Sequence, residues 1–384
     1  VRQDAASFLD CDPGGLVFVP NATTGVATAI HNLIASGQAS AGDELLVTDH
    51  EYPACVNNAR QMAEAAGLRV VTATLPFPNP TPAGVLDAVC RAVTPRTRLA
   101  LISQITSASA MVLPAHDLVR ELESRGVRVV LDGAHAPGHV RMSVDEIGAS
   151  YYAANLHKWV CSPKGSAVLF VGAGQRDRCR PMVLSNLADT PIAGRPHLHT
   201  EFDYVGTTDP TAVLCVPAAI RIMSAIVRGQ TPRRFSAEAF EVGSDASTIE
   251  PAWAGIRSEN RSLALRAQAL VSEALGTEPP VPPSMTGCIA MIALPPLEPE
   301  AWDQLASTPT KYADPLQDAL IRRWKTQVPV VHPARDADGR PMPRCVRVSA
   351  QLYNSESQYR HLAGALVEAL AEERGTPVQR RYNA

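Results

Sequence analysis

An aspartate closing one apolar run and a lysine 26 residues beyond it are the side chains here best placed to do chemistry together. Asp132 ends the run in VRVVLDGAHAPGH, and Lys158 follows the next run in YYAANLHKWVCSPKG. Both runs read as buried strands, and ligands in open parallel sheets bind beyond the carboxyl ends of the strands. A carboxylate ending one strand and an amine soon after the next can therefore face one ligand. Taken singly, Asp132 reads as a turn carboxylate and Lys158 as an ordinary surface lysine; the pairing gives both a purpose.

Pyridoxal 5′-phosphate (PLP) asks for that combination. A lysine holds the cofactor as a Schiff base, and an acidic group pairs with the pyridinium nitrogen so that the ring stays an electron sink. Lysine suits the task because burial readily lowers its pKa and frees the amine as nucleophile or base.

The elements that must position this pair are legible over the first 215 or so residues. Strand-like runs at 16–20, 44–49, 68–75, 98–104, 127–133, 151–155 and 166–172 alternate with helical patterns at 25–36, 53–66, 82–93, 114–125 and 143–147. The runs are rich in Val, Ile and Leu with little polar alternation, as strands buried on both faces are. Strand–helix alternation predicts an α/β fold with a mostly parallel central sheet flanked by helices. Pro114 fits the first turn of a helix and Gly126 its end. An apolar helix is expected at 211–228, completing a large domain over 1–228. Residues 229–251 read as a linker or surface excursion because they are rich in Pro, Ser and Thr. A smaller α+β domain over 252–384 follows, with a helix at 254–275, strands near 287–294 and 344–350, a final helix at 355–373 and a frayed tail. No internal repeat is present.

Composition excludes other classes. The 384 residues are 46% hydrophobic and 19% charged, with a formal net charge of −3, as in ordinary globular chains. Lys and Arg are scattered rather than striped, which argues against nucleic acid as a partner. No apolar run approaches the roughly 20 residues of a membrane helix. The opening VRQDAASFLDCDPGG has no apolar core of a signal peptide. The eight cysteines are dispersed with no C-x-x-C pair, so neither a zinc site nor a disulfide scaffold is expected. These features predict a cytoplasmic protein with reduced thiols and no membrane partner.

The stretches PNATTGVATAI, TDHEYPA, TPRTRLALISQITSASAMVLP, VVLDGAHAPGH, NLHKW, VGTTDPTA and VRVSAQLYN run from about 17 to 353. In this order the chain resembles the class V aminotransferase superfamily of fold type I PLP enzymes, within it the isopenicillin N epimerase-like branch. DGAHAPG followed by HKW is the most specific match. The resemblance implies a large PLP-binding domain and a smaller C-terminal one, with Lys158 carrying the cofactor and Asp132 on its ring nitrogen. Thr23 and Thr24 lie where a strand-to-helix turn holds the phosphate, and helix-start amides and hydroxyls suit an anion. Tyr52 falls where an aromatic stacks on the ring, with His50 two residues away as its competitor. Ser107 matches a position near the 3′-oxygen, and His135 one that approaches the 3′-oxygen or the substrate side. Asn155 and His157 match phosphate or polar contacts, although relatives often carry Ser in place of Asn155. His135 and His157 make a poor metal site for want of a third ligand at suitable spacing. Thr207 matches a residue that reaches the neighbouring subunit's phosphate, which implies a homodimer sharing its active sites. Arg347 matches the arginine that grips a substrate α-carboxylate, a task for its bidentate fork.

This chain also departs from the family. The N-terminal segment with a small, Gly-containing motif that lines the substrate site in relatives is expected to be missing. Ala110 stands where relatives often carry Gly, and the 229–251 excursion is longer than usual. A desulfurase would need a nucleophilic Cys in the loop ahead of Arg347, and HPARDADGRPMP has none; Cys345 lies too close to Arg347 to serve. The resemblance therefore implies an amino-acid substrate losing its α-proton. Epimerisation is the first expectation, C–S lyase or other β-elimination the second, and decarboxylation or transamination the others. This branch is common in natural-product and sulfur metabolism. Two rivals lie outside the class. A nicotinamide-dependent oxidoreductase rests only on Gly172-Ala173-Gly174 after a strand, which lacks a third glycine and leaves Lys158 idle. A scaffold that keeps the fold but not the activity would have no need of Asp132, Lys158 and Arg347 together.

Overall fold

The computed structural model describes residues 1–227, 246–297, 302, 305, 307–312, 314–335 and 341–374. Two compact units divide the chain. The first comprises Val1–Pro76, Pro82–Ser107 and Val112–Ser258, the second Phe77–Thr81, Ala108–Met111 and Glu259–Ala384. The expected start of the small domain at 252 thus falls inside a helix that begins at Ala246.

The first unit is built on a seven-stranded sheet: β1 (Leu16–Val19), β2 (Glu44–Thr48), β3 (Arg69–Ala73), β4 (Thr97–Ser103), β5 (Arg128–Asp132), β6 (Tyr151–Asn155) and β7 (Ala167–Val171). Their order across the sheet is β1-β7-β6-β5-β4-β2-β3. Only β7 runs antiparallel to its neighbours, β1 and β6; the other pairings are parallel. All seven expected strands are present, and the sheet is mostly parallel as expected. Strands β2, β6 and β7 are buried at every position, which is why they read as unbroken apolar runs.

The helices of this unit are α1 (Arg2–Leu9), α2 (Ala22–Ala35), α3 (Pro53–Ala65), α4 (Pro82–Ala92), α5 (Ala115–Ser124), α6 (Val144–Ile147), α7 (His197–Asp203), α8 (Thr211–Leu214) and α9 (Val216–Val227). Helix α2 starts three residues before its expected first residue because Asn21 caps it, accepting the Thr24 N–H at 2.8 Å. Pro114 is the N-cap of α5 rather than its first helical residue, and Gly126 follows that helix with φ 78°. The span expected as one helix over 211–228 is two, α8 and α9, within the described residues. Of the expected excursion, 229–245 lies outside the described residues, and 246–251 is already helical.

Glycine decides the packing at two points. A Cβ on Gly25 would come within 2.9 Å of the Ala153 Cβ, so glycine lets α2 lie tightly on β6. A Cβ on Gly133 would sit 2.1 Å from the Tyr152 hydroxyl, so only glycine can follow Asp132 there. A core of Val26, Ile30, Leu45, Leu101, Val130 and Leu169 joins α2 to the sheet, and each such side chain contributes about 1.5–3 kcal/mol on burial.

Helix α10 (Ala246–Leu275) ends in the second unit. That unit also holds β8 (Ile289–Ala293), α11 (Pro315–Trp324), β9 (Val330–Val331), the short pair β10 (Ala334–Arg335) and β11 (Pro341–Met342), β12 (Cys345–Ser349), and α12 (Glu356–Glu373). Strands β8, β12 and β9 form an antiparallel sheet in that order. Ser355 and Gln358 close a capping box at the start of α12. Of the expected tail, 374–384, all but Arg374 lies outside the described residues. Inside this unit Arg344 makes a bidentate pair with Asp314, at 2.7 and 2.6 Å, and reaches Glu373 at 2.7 Å. Asp314 also caps α11 through the Leu316 N–H at 2.8 Å.

Candidate active site

The carboxyl ends of the parallel strands set one edge of the sheet, and polar residues collect there. Parallel register aligns Ser103 at the end of β4 with Asp132 at the end of β5, and Asp132 with Ala153 on β6. Asn155 ends β6, and Asn21 follows β1 at the start of α2. A cavity of about 180 Å³ opens on this edge, lined by Asn21, Ala22, Thr23, Tyr52, Ser103, Ile105, Ser107, Asp132, Ala134, His135, Asn155, His157 and Lys158.

Asp132 is 3% exposed. One carboxylate oxygen accepts the Ala134 N–H at 2.9 Å, and the other accepts from the Cys55 thiol at 3.4 Å. Burial pushes its pKa upward, against the Ala134 and Cys55 hydrogen bonds and the charge of Lys158. Lys158 Nζ lies 3.1 Å from His135 Nε2, and His135 Nδ1 accepts the Trp159 indole N–H at 3.4 Å. His157 Nδ1 is 2.9 Å from the Ser166 carbonyl.

The expected residues separate into three groups. Thr23, Tyr52, Ser107, Asp132, His135, Asn155, His157 and Lys158 line the one cavity. Tyr52 is there and half-exposed, whereas His50 is buried and does not line it. Thr24 lies in the same turn but spends both its N–H and its hydroxyl on Asn21, at 2.8 and 3.0 Å. Asn155 accepts the Ala22 N–H at 2.8 Å and so ties β6 to the first turn of α2. Thr207 is exposed between α7 and α8. Arg347 belongs to the second unit, on β12, where it lines a cavity of about 600 Å³ with Trp324, Tyr353, Asn354 and Ser357.

Three residues of the site escape sequence reasoning. Asn21 was readable, since Asn before an apolar helical pattern is a capping signal. Ser103 and Glu51 were not, because 52 residues separate them and only the β2–β4 pairing brings them together. Glu51 is buried, and one of its oxygens accepts the Thr48 hydroxyl at 2.8 Å and the Ser103 N–H at 3.1 Å. Its other oxygen shares a hydrogen bond with the Ser103 hydroxyl. Burial pushes its pKa up to about 7, and the nearby Asp132 charge adds to the rise.

This edge fits PLP. A carboxyl as buried as Asp132 calls for a cationic partner, and a protonated ring nitrogen is one. An amine, a flat aromatic side chain and a helix start bearing Thr23 stand around the same space. Among the described residues no group of three His, Cys, Asp or Glu side chains could hold a metal, and no helix is long and apolar enough to cross a membrane.

Fold and site together define a PLP enzyme of fold type I. The chain belongs to the class V aminotransferases, whose family model, Aminotransferase class-V, matches residues 1–228. It is 30% identical to an isopenicillin N epimerase of Amycolatopsis lactamdurans over 96% of this chain and 83% of that protein. It is also 30% identical to a putative L-cysteine desulfhydrase 1 of Oryza sativa subsp. japonica, over 94% of this chain and 72% of the relative. Among solved structures, the cysteine desulfurase CsdA of Escherichia coli superposes with a TM-score of 0.67 at 18% identity, covering 97% of this chain and 83% of the other. The cofactor of this family is PLP.

Proposed function

We propose that the protein binds PLP through Lys158 and removes the α-proton of an amino acid. The observation that carries this reading is the shared cavity of Asp132 and Lys158 at the ends of adjacent strands. When bound, PLP supplies an electron-accepting ring that takes up the electron pair left at Cα. The Asp132 carboxylate pairs with the ring nitrogen and keeps it protonated. Tyr52 covers the ring face, and Thr23, at the first turn of α2, faces the phosphate with Asn155 and His157 beside it. Lys158 Nζ takes the proton from Cα. Arg347 holds the substrate carboxylate through its two-pronged guanidinium.

Epimerisation, return of the proton to the opposite face, is the first reading, and the relative named isopenicillin N epimerase supports it. C–S bond cleavage by β-elimination is the second, supported by the L-cysteine desulfhydrase relatives. The two differ in where the proton goes. In an epimerase it returns to Cα; in a lyase Lys158 passes it toward the leaving sulfur. Proton NMR in D₂O with L- and D-amino acids, L-cysteine and cysteine S-conjugates separates them. α-Proton exchange with inversion and no new product supports the epimerase. Pyruvate and a released thiol support the lyase. No exchange with any of these compounds counts against α-proton removal.

The same reading makes the working unit a homodimer, with Thr207 serving the partner's phosphate site. Its exposure on a loop outside the cavity of its own chain supports this. Sedimentation of the PLP-loaded protein as a monomer would count against it.

A further inference from the structure

His135 stands between two nitrogen groups. Its Nε2 is 3.1 Å from Lys158 Nζ, and its Nδ1 accepts from the Trp159 indole at 3.4 Å. An indole nitrogen only donates. His135 Nδ1 must then present a lone pair, and a neutral imidazole with a bare Nδ1 carries its hydrogen on Nε2. That N–H points to Lys158, where only the unprotonated amine offers a lone pair. The competing arrangements clash. If Lys158 is an ammonium donating to Nε2, the imidazole hydrogen moves to Nδ1 and meets the indole N–H. An imidazolium meets an N–H there too, and turns a second one toward Lys158.

Trp159 is well placed to impose this choice. It is 7% exposed, and the His139 ring packs against it at 4.6 Å. Burial pushes His139 down to about 3, so it adds no charge at neutral pH. Asp132 and His157 also couple electrostatically to Lys158. Asp132 favours the ammonium, so the amine form needs an opposing device.

We propose that Trp159 is a positioning residue: it fixes His135 as the Nε2–H tautomer and thereby holds Lys158 as the free amine. The amine is the form that bonds to the cofactor aldehyde and accepts the substrate proton. Proton removal leaves the electron pair behind on the substrate side, and the new ammonium meets an N–H at His135 rather than a lone pair. It is thus driven to pass the proton on. This inference rests on the reading of Lys158 as the cofactor-bearing base.

The test uses Trp159→Phe, which keeps the ring against His139 and removes the N–H. Long-range ¹H–¹⁵N NMR of histidine-labelled protein, with the His135 signals assigned by their loss in His135→Asn, reads the tautomer directly. Wild type should show His135 as Nε2–H, and Trp159→Phe should gain Nδ1–H or imidazolium. A second measurement follows PLP attachment to the cofactor-free protein by visible absorbance. The rate at saturating PLP should fall about tenfold in Trp159→Phe, the effect of one lost hydrogen bond, with the half-saturating concentration unchanged. In a His135→Gln background, Trp159→Phe should have no further effect. An unchanged tautomer, a saturating rate within about twofold of wild type, or additive losses in the double variant would each overturn the proposal. Should wild type attach PLP yet exchange no α-proton, the proposed reaction falls while the tautomer result still decides this inference.

Discussion

Replacing Glu51 with glutamine tests how the carboxyl beside Asp132 is ionised. The neutral acid fits its surroundings: one oxygen accepts from Thr48 and the Ser103 N–H, and the protonated one can donate to the Ser103 hydroxyl. Burial lifts its pKa from 4.5 to about 7. The folded protein therefore binds a proton that the unfolded chain has lost between these values, and stability falls as pH rises through that window. The folded group ionises above about 7, and the loss levels off there. At about 1.4 kcal/mol per unit, the full loss is about 3 kcal/mol. Glutamine cannot ionise, and its amide can donate to the Ser103 hydroxyl. Urea unfolding of the cofactor-free protein and of Glu51→Gln across pH 4.5–8 is the assay. The variant should gain on wild type by about 3 kcal/mol from the acid to the alkaline end, and other titrating groups cancel in the difference. Parallel stability curves would refute the argument that Glu51 is folded as the neutral acid.

Asp314→Ala should cost about 1.5–3 kcal/mol in urea unfolding, because it removes the bidentate partner of the buried Arg344 guanidinium, which keeps its ion pair with Glu373. Hydrogen bonds from His332 and Arg344 outweigh burial and hold Asp314 down at about 2. Its contribution is thus complete above its ordinary 3.8 and is lost as pH falls through about 2; an unchanged acid limb in the variant would contradict this. Ala110 has φ 56°, a conformation that costs a side chain about 1–2 kcal/mol. Ala110→Gly should therefore leave stability equal or raise it by up to about 1 kcal/mol once the unfolded chain's greater freedom is counted, and a loss on thermal unfolding would refute the strain. Arg347→Ala should raise KM for carboxylate substrates by about tenfold to a hundredfold with little change in kcat. An equal loss on the corresponding amides would remove the carboxylate role.

The sheet was legible because its inner strands are buried on both faces, so Leu45–Val47 or Val129–Leu131 read as plain apolar runs. Helix boundaries were less so. Pro251 and its Ser- and Thr-rich surroundings read as a linker, yet α10 begins at Ala246 and runs through that proline. Helix α11 carries a start signal, Asp314 followed by Pro315, but it was not read among the polar residues around it. At the site, residues near one another in sequence were found, as with Asp132, His135 and Lys158. Those joined only by strand pairing, as with Glu51 and Ser103, needed the fold.

The central claim is that Lys158 carries the cofactor. Borohydride reduction of the PLP-loaded protein, followed by peptide mass spectrometry, tests it most directly. The account predicts a phosphopyridoxyl group on the peptide containing Lys158, and its absence together with loss of the visible absorbance band in Lys158→Ala. Modification of another lysine, or a band that survives in Lys158→Ala, would contradict it.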